Sequence, residues 1–159
     1  MKWAIIDIDG SLSDCEWRRL FATDARLERD PELRALLWND FHSRARKDPP
    51  HEAEVELVRL WIAAGHGAVF LTGRPEPHRT LTESWLHEQG LPGTPLIMRA
   101  PGNYSHTAEY KLAQYLGAIR EEIMAPGDEV SWVLEDHDGC VAMWRALGLT
   151  CLQPRSKGY

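Results

Sequence analysis

Short apolar runs, each bounded by turn residues, alternate along the chain with segments that have helical spacing. Four of the runs predict buried strands, at residues 3–8, 68–71, 95–98 and 130–134, and residues 149–152 are a candidate fifth strand. Because strands that alternate with helices usually pair in parallel, this order predicts an α/β fold with a mostly parallel central sheet.

Between the predicted strands, apolar residues recur every three or four positions, as they do on a helix packed against a sheet. These positions are Val55, Val58, Trp61 and Ile62, then Leu81, Trp85 and Leu86, then Leu112, Tyr115 and Leu116, and finally Val141, Trp144 and Leu147. Gly65, Gly90 and Gly148 follow three of these segments. Glycine adopts the left-handed backbone that ends a helix, so these residues support the predicted helix ends.

The stretch from about residue 13 to residue 50 breaks this alternation, because it carries apolar residues among many charges and no predicted strand. Its apolar side chains are Trp17, Leu20, Phe21, Leu33, Leu36, Leu37, Trp38 and Phe41. They predict two helices inserted after the first strand, and Pro49-Pro50 ends the insert because proline lacks a backbone donor and restricts its neighbour. We therefore predict one domain over residues 1–159 with a small helical cap at about 13–50.

Length, charge and cysteine content narrow the class of protein. The formal charge of −6 on 159 residues argues against a protein that coats nucleic acid nonspecifically, since such binding depends on many Lys and Arg contacts to phosphates. Cys15, Cys140 and Cys151 have neither Cys-x-x-Cys spacing nor a zinc pattern, and we expect free thiols. No apolar stretch suits a signal peptide or a membrane span, so we predict a cytoplasmic protein without membrane contact.

Two carboxylates close the first predicted strand, in the run Asp7-Ile8-Asp9-Gly10-Ser11. A buried carboxylate is costly unless it is paired or binds a cation. Side chains at positions i and i+2 of a strand leave the same side, so Asp7 and Asp9 could share one metal ion, and Gly10 would let the backbone pass close to a ligand. Taken alone, the motif is equally consistent with an ordinary strand that ends in an acidic turn.

The other predicted strands also end in polar residues, at the edge where ligands bind in open parallel sheets. These residues are Thr72-Gly73-Arg74 after the second strand, Arg99 after the third, Lys111 predicted to open the next helix, and Glu135-Asp136-His137-Asp138 after the fourth. Phosphoryl transfer through an aspartate requires acids that hold Mg²⁺, cations that neutralise phosphate oxygens, and a carboxylate that attacks phosphorus.

With these polar residues in this order and at the predicted strand ends, the sequence resembles the haloacid dehalogenase (HAD) superfamily of phosphatases. The run 7–11 matches the first motif of that superfamily, Thr72 the second, Lys111 the third and Glu135-Asp136 the fourth. The resemblance implies a Rossmannoid three-layer α/β/α fold. It also implies that Asp7 is the nucleophile that forms an aspartyl-phosphate, and that Asp9 protonates the leaving group and later activates water.

The same resemblance implies Mg²⁺ as the cofactor. Its ligands would be Asp7, the backbone carbonyl of Asp9 and Asp136, with Glu135 as a further candidate. The residues expected to contact the substrate are Thr72 and Lys111 at the transferring phosphoryl group, with Ser11, Gly73, Arg74 and Arg99 around them.

A closer likeness is to the 3′-phosphatase domain of phage polynucleotide kinase-phosphatases. The matching stretches are Leu71-Thr72-Gly73-Arg74 with Arg79 and Trp85-Leu86, then Met98-Arg99, then Glu135-Asp136-His137-Asp138 with Val141, Met143-Trp144-Arg145 and Leu147-Gly148. The sequence departs from that family at Glu135, where aspartate is common, and at His137, where arginine is common. No glycine-rich P-loop occurs in these residues, so we expect no kinase half here.

Several polar residues can be interpreted in two ways. Arg74 and Arg99 suit bidentate phosphate contacts, but either could form a structural ion pair. Asp138 could belong to the metal shell or cap the last helix. The remaining candidates could contact nucleic acid or simply face solvent: Arg18-Arg19, Arg44, Arg46 and Lys47 in the insert, Arg155 and Lys157 in the tail, and His78, His106 and His137 near the predicted site.

We therefore expect a Mg²⁺-dependent phosphomonoesterase that removes 3′-phosphates from nucleic-acid ends. A nucleotide or small-molecule phosphatase of the same superfamily is the first alternative, and a noncatalytic phosphate- or partner-binding module is the second. The acid pair Asp7 and Asp9 disfavours the binding module, because a binder does not need both a nucleophile and a proton donor. The expected partner is a phosphorylated nucleic-acid end or a nucleotide, and the sequence does not determine the oligomeric state.

Overall fold

A single sheet runs through the protein, whose computed structural model describes residues 1–91 and 95–154. Its strands are β1 (Lys2–Ile6), β2 (Gly67–Pro75), β3 (Leu96–Arg99), β4 (Glu129–Leu134) and β5 (Cys151–Leu152). The order across the sheet is β3-β2-β1-β4-β5, and each neighbouring pair is parallel. The predicted parallel sheet is therefore confirmed, and the candidate fifth strand is present as a short edge strand.

Helices connect the strands in the order that the apolar spacing predicts. In the part of the chain that the structure describes they are α1 (Arg19–Leu27), α2 (Pro31–Ser43), α3 (Glu52–Ala63), α4 (Arg79–Glu88), α5 (Thr107–Gln114) and α6 (Asp138–Ala146), and a π-helical segment, Tyr115–Ile123, continues α5. The glycines at the predicted helix ends have φ of +83°, +65° and +79° at Gly65, Gly90 and Gly148. None of the helices in residues 1–91 and 95–154 combines the length and apolarity needed to cross a membrane.

Lys111 does not open its helix, as the sequence analysis predicted, but lies in the second turn of α5. Helical side chains lean toward the amino terminus of their helix. A lysine one turn inside the helix can therefore reach back to the sheet edge, where the strand ends lie.

The sheet separates two apolar cores, as a three-layer fold requires. Side chains alternate along β1, so Ala4 and Ile6 enter one core and Ile5 enters the other. The first core is completed by residues of α3 and α4, including Leu86. The second is completed by residues of α5 and α6, including Trp144. The three-layer α/β/α arrangement is thus confirmed.

The insert between β1 and α3 consists of the packed helices α1 and α2 with a 3₁₀ turn on either side, Glu16–Arg18 and Ala45–Lys47. Asp30 begins α2, and its side chain accepts bonds from the backbone of Glu32 and Leu33. The two ends of the insert meet at the core, where the amide of Asp14 donates to the carbonyl of Pro49 at 2.8 Å. The two inserted helices that the sequence predicts are present, and we refer to residues 13–50 as the cap.

We predict that Leu86→Ala lowers the free energy of unfolding by about 2–5 kcal/mol, because it opens a cavity in the first core. Leu86 is fully buried in α4, whereas Leu60 in α3 is 60% exposed. Leu60→Ala makes the same chemical change in the same kind of element and should change the free energy by only about 0.5 kcal/mol. Urea unfolding of both variants measures the difference, and equal losses would contradict this description of the core.

Candidate active site

Asp7 lies at the carboxyl end of β1, in contact with a lysine from the neighbouring helix. Its side chain is buried, and its backbone amide donates to the carbonyl of Leu134 at 3.0 Å, which fixes it beside β4. Lys111 Nζ donates to Asp7 Oδ1 at 2.7 Å and to Glu135 Oε2 at 2.6 Å, and Ser11 Oγ donates to Asp7 Oδ2 at 3.0 Å. The ammonium group thus bridges the acids that follow two different strands.

Asp7, Glu135 and Asp136 form an acid cluster in which one oxygen of each carboxylate lies within 4.8 Å of the others. Oxygens on opposite sides of an octahedral Mg²⁺ are about 4.2 Å apart, so the spacing fits shared coordination of one small cation. Carboxylate oxygens are also the ligands that Mg²⁺ prefers in proteins. The donor set therefore fits Mg²⁺.

Gly10 allows this cluster to close over the turn that follows β1. Its φ is +83°, and a Cβ atom built on it would lie 2.1 Å from Asp136 Oδ2. A side chain here would be strained and would displace the carboxylate. The glycine that the sequence analysis assigned to a close approach is in fact approached by a member of the acid cluster.

The charged groups of this cluster shift one another's pKa values. Burial raises the pKa of Asp7 to about 7, and Glu135 adds to the effect while Lys111 opposes it. Burial alone would lower the pKa of Lys111, but Asp7 and Glu135 together raise it above its ordinary value. Lys111 therefore remains charged, and its charge only partly offsets the effect of burial on Asp7.

Asp9 belongs to a different set of charges on the cap side of Asp7. Arg74 donates to Asp9 Oδ1 through Nε at 3.0 Å and NH2 at 2.6 Å, and Arg18 NH2 donates to the same oxygen at 2.6 Å. Burial alone would raise the pKa of Asp9, but the two guanidinium groups hold it well below its usual range. The carboxylate is accordingly fixed in position and ionised in the absence of a ligand.

Asp48, at the end of the cap, is the fourth charged residue in the set that contains Asp9, Arg18 and Arg74. Arg18 donates to its two oxygens through Nε at 2.8 Å and NH2 at 2.5 Å, and Arg74 NH2 lies 3.5 Å from it. Arg18, Arg74 and Asp48 are fully or almost fully buried. We call these three residues and Asp9 the arginine–carboxylate quartet, in which two positive and two negative charges balance.

The quartet bears on three residues that the sequence analysis singled out, Asp9, Arg74 and Arg18. The carboxylate of Asp9 does not join the acid cluster of Asp7 and therefore does not share its cation site through the side chain, because the arginines hold it. Arg74 forms a structural ion pair, the second of its two interpretations. Arg18 is neither on a solvated helix face nor exposed to nucleic acid, because its buried guanidinium turns inward to the carboxylates of Asp9 and Asp48.

Thr72 and Gly73 lie within the last part of β2, which extends further than the sequence predicts, and Arg99 is the last residue of β3. Thr72 is fully buried near the end of β2, and its Oγ1 accepts from the amide of Arg74 at 3.2 Å. A Cβ on Gly73 would lie 3.9 Å from NH2 of Arg99. Arg99 NH1 donates to the carbonyl of Ser105 at 2.8 Å, and its guanidinium lies 4.3 Å from the ring centre of Tyr110. Gly73 and Arg99 are thus neighbours at the ends of β2 and β3.

Other candidate residues lie around this site or away from it. Asp138 begins α6 and accepts from Gln153 at 2.7 Å, while His137 is the N-cap of that helix. Arg44 and Arg46 form exposed ion pairs with Asp40 and Glu88. The remaining candidates are Lys47 and His106, which are exposed, His78, which is half-buried, Arg19, which pairs with Glu16, and Arg155 and Lys157, which lie outside the described residues.

The sequence analysis missed two polar residues of the cap that face the site. Asp48 precedes Pro49-Pro50 and has no pattern that marks it as buried. His42 follows the apolar position Phe41 in α2, yet it is only 8% exposed. The one available signal was that a buried Asp9 needs a counter-charge, and nothing in the sequence identified which arginine would supply it.

Comparisons with known proteins agree with this geometry. The sequence model of the family described as the polynucleotide kinase PNKP phosphatase domain matches residues 37–159. A chain in the structure of the Pnkp1/Rnl/Hen1 RNA repair complex is 26% identical, with a TM-score of 0.75 over 99% of this chain and 43% of that chain. A chain in a second structure of the Pnkp1/Rnl/Hen1 complex is 27% identical, with a TM-score of 0.73 over 96% of this chain and 45% of that one.

The class C acid phosphatase from Bacillus anthracis, solved with tungstate bound, is 11% identical and has a TM-score of 0.64 over 99% of this chain and 68% of that chain. That likeness shows the fold alone.

The fold and the strand-end residues define a phosphatase of the HAD superfamily. Because the family model covers more than half of the sequence, the chain belongs to the family of PNKP phosphatase domains. It spans less than half the length of the Pnkp1/Rnl/Hen1 chains that it matches.

We predict that Asp48→Asn lowers the free energy of unfolding by about 3 kcal/mol or more, because it leaves two buried guanidinium groups with one carboxylate. Asp40→Asn is the matched control, since Asp40 also pairs with an arginine of the cap but is 40% exposed. The control should lose less than about 1 kcal/mol. Urea unfolding of both variants tests the prediction, which fails if the two losses are alike.

Proposed function

We propose that this domain hydrolyses phosphomonoesters through an aspartyl-phosphate formed on Asp7. The observation that carries the proposal is the separation of the carboxylates at this edge into two groups. Two arginines hold Asp9 within the quartet, whereas Asp7, Glu135 and Asp136 bring one oxygen each within 4.8 Å of the others beside Lys111. A site of this kind is suited to a divalent cation and a nucleophilic carboxylate, with a second carboxylate held separately for proton transfer.

Mg²⁺ is the proposed cofactor, and Asp7, Glu135 and Asp136 would hold it, with the backbone carbonyl of Asp9 as the further ligand that the family resemblance implies. A bound Mg²⁺ would neutralise negative charge on the phosphate and on Asp7. Lys111 would contribute a fixed positive charge at the same point. Ser11 would hold the second oxygen of Asp7, since it donates to Oδ2.

The proposed reaction has two steps. An oxygen of Asp7 forms a bond to phosphorus while the ester bond breaks, and the leaving oxygen takes a proton that Asp9 has received from the monoanion of the bound phosphate ester. In the second step Asp9 removes a proton from water, the water oxygen attacks phosphorus, and the bond to Asp7 breaks to release inorganic phosphate. Arg18 and Arg74 position Asp9 for both transfers, because they hold one of its oxygens throughout.

The proposed substrate is a 3′-phosphate at a nucleic-acid end. The family membership supports this choice, as does the likeness to chains of a complex described as an RNA repair complex. By analogy with that complex, the chain would also act beside other proteins of end repair. A cap of only two helices would leave the site open to a bulky end, and a cytoplasmic location agrees with three buried free cysteines.

Arg99 adds a physical reason to expect an anionic substrate. Its guanidinium is half-buried beside Gly73, and no carboxylate pairs with it among the residues that the structure describes. Burial lowers the pKa of Arg99. A partly buried cation without a counter-ion is stabilised by a ligand phosphate, so we assign it to the transferring phosphate or to the next one along the strand.

We predict that Asp7→Asn lowers phosphatase turnover by on the order of 10⁴-fold or more, because the amide cannot attack phosphorus. Folding should persist, since Lys111 keeps its contact with Glu135. Asp138→Asn is the control, because Asp138 lies outside the acid cluster. Single-turnover hydrolysis of p-nitrophenyl phosphate with Mg²⁺ measures both. Activity that survives in Asp7→Asn, or turnover by wild type that EDTA leaves unchanged, contradicts the mechanism.

For the substrate, we predict a higher kcat/KM with a 3′-phosphorylated oligonucleotide than with free nucleotides or sugar phosphates. Arg99→Met should lower the oligonucleotide value by about tenfold, or about 1.4 kcal/mol. Arg120→Met is the control. Arg120 also lies over a tyrosine ring, but it lines a pocket that includes Asp128 and neither Gly73 nor Arg99.

A preference for small esters by about a hundredfold, or about 2.7 kcal/mol, would favour the small-molecule phosphatase instead. No Mg²⁺-dependent phosphate release from any ester would favour the noncatalytic binding module.

A further inference from the structure

Tyr104 lies on the surface beside the active-site edge and takes no part in the chemistry at Asp7. Its side chain is 94% exposed, which makes it the most exposed large apolar residue in the described ranges 1–91 and 95–154. It belongs to the loop of residues 100–106, which follows Arg99 at the end of β3 and leads into α5, the helix of Lys111. A ligand can therefore reach both faces of this ring, and the surroundings of the loop indicate what kind of ligand would do so.

The loop holds the backbone of Tyr104 in place. The amide of Asn103 donates to the carbonyl of Ala100 at 3.2 Å, and Asn103 Oδ1 accepts from Ser105 Oγ at 2.6 Å and from the amide of Ser105 at 3.1 Å. Arg99 NH1 donates to the carbonyl of Ser105 at 2.8 Å. These bonds lie on both sides of Tyr104, so the position of the ring is restricted before a ligand binds, and less entropy is lost when it does.

A short series of contacts connects this loop to the leaving-group side of the active site. Arg74 holds the carboxylate of Asp9, the proposed proton donor to the leaving oxygen, and Gly73 precedes Arg74 in β2. A Cβ on Gly73 would lie 3.9 Å from NH2 of Arg99, whose NH1 bonds the carbonyl of the residue after Tyr104. A strand that leaves the scissile ester beside Asp9 and passes over Arg99 would therefore bring a base to Tyr104.

The charge of this part of the chain fits a polyanion. No acidic residue occurs between Glu88 and Glu109, although the chain has 24 acids in 159 residues. Arg99 lies within that stretch, and a phosphate beside it would meet a cation and no carboxylate of the same loop. A stacking ring next to a cation that contacts the backbone is the arrangement with which proteins bind single-stranded nucleic acid. This combination favours a nucleic-acid strand over a protein partner at Tyr104.

We propose that Tyr104 is the stacking platform for a base of the strand whose 3′-phosphate enters the active site, and that Arg99 contacts the phosphate next to that base. This inference rests on the proposed function, because it assigns the part of the substrate beyond the scissile ester. Stacking uses the face of a base, which every base has, so the subsite selects a strand with an unpaired end and not a particular sequence.

Two matched substrates isolate the contribution of the bases. One is a 3′-phosphorylated single-stranded oligonucleotide, and the other is the same strand built from abasic units, which keeps the phosphates and loses the bases. We measure kcat/KM of the full chain with Mg²⁺ on both. Tyr104→Ala should lower the ratio of the two values about tenfold, or about 1.4 kcal/mol, whereas Tyr104→Trp should retain it because a flat ring remains.

His87→Ala is the control variant. His87 is also an exposed planar side chain, but it lies in the last turn of α4, at the end of the helix away from the active-site edge, and its replacement should leave the ratio unchanged. Fluorescence gives a second readout, because 2-aminopurine loses emission when it stacks. An oligonucleotide with 2-aminopurine near its 3′-phosphate should be quenched on binding to Asp7→Asn, and less so on binding to the double variant with Tyr104→Ala.

An unchanged ratio in Tyr104→Ala overturns the inference. An equal loss on the abasic strand also overturns it, since that result indicates an effect on the loop and not on stacking. Failure of the proposed function looks different: the wild type would hydrolyse p-nitrophenyl phosphate but neither 3′-phosphorylated strand, and the stacking subsite would then be wrong as well.

Discussion

Two guanidinium groups buried between the cap and the sheet determine how the active-site edge is built. Arg18 comes from the first turn of the cap and Arg74 from the end of β2, and each contacts both Asp9 and Asp48. Removing charges from water is costly, and only close pairing recovers the loss. The cap therefore has one stable position, because any other would leave an arginine or a carboxylate buried without its partner.

The pairing within the quartet also determines which carboxylates Lys111 contacts. Asp9 has its own counter-charges, so Lys111 is left to Asp7 and Glu135. The raised pKa of Asp7 is a consequence, since its burial beside Glu135 is only partly compensated. Oxygens of Asp7, Glu135 and Asp136 lie close enough together to share one cation, which is the physical basis of the proposed use of Mg²⁺.

The sequence was sufficient for the sheet and for the residues at strand ends, because strand order and parallel pairing bring those ends to one edge. Asp7, Lys111, Glu135 and Asp136 meet for that reason. Arg18 and Asp48 could not be found in this way. They lie thirty positions apart in an insert with no strand, and local spacing does not distinguish an arginine that turns inward, like Arg18, from one that faces solvent, like Arg46. Only the packing of the cap decides which of them is buried.

A cap fixed by buried ion pairs has consequences for substrate range. A mobile lid can select substrates by closing over them, but a cap held by Arg18 and Asp48 presents the same lower surface to every ligand. Selection must then come from the side chains on that surface and from the cations at its rim. Arg99 at the end of β3 is a residue of the second kind. Differences in phosphate charge should therefore be governed by Arg99, with the chemistry at Asp7 unchanged.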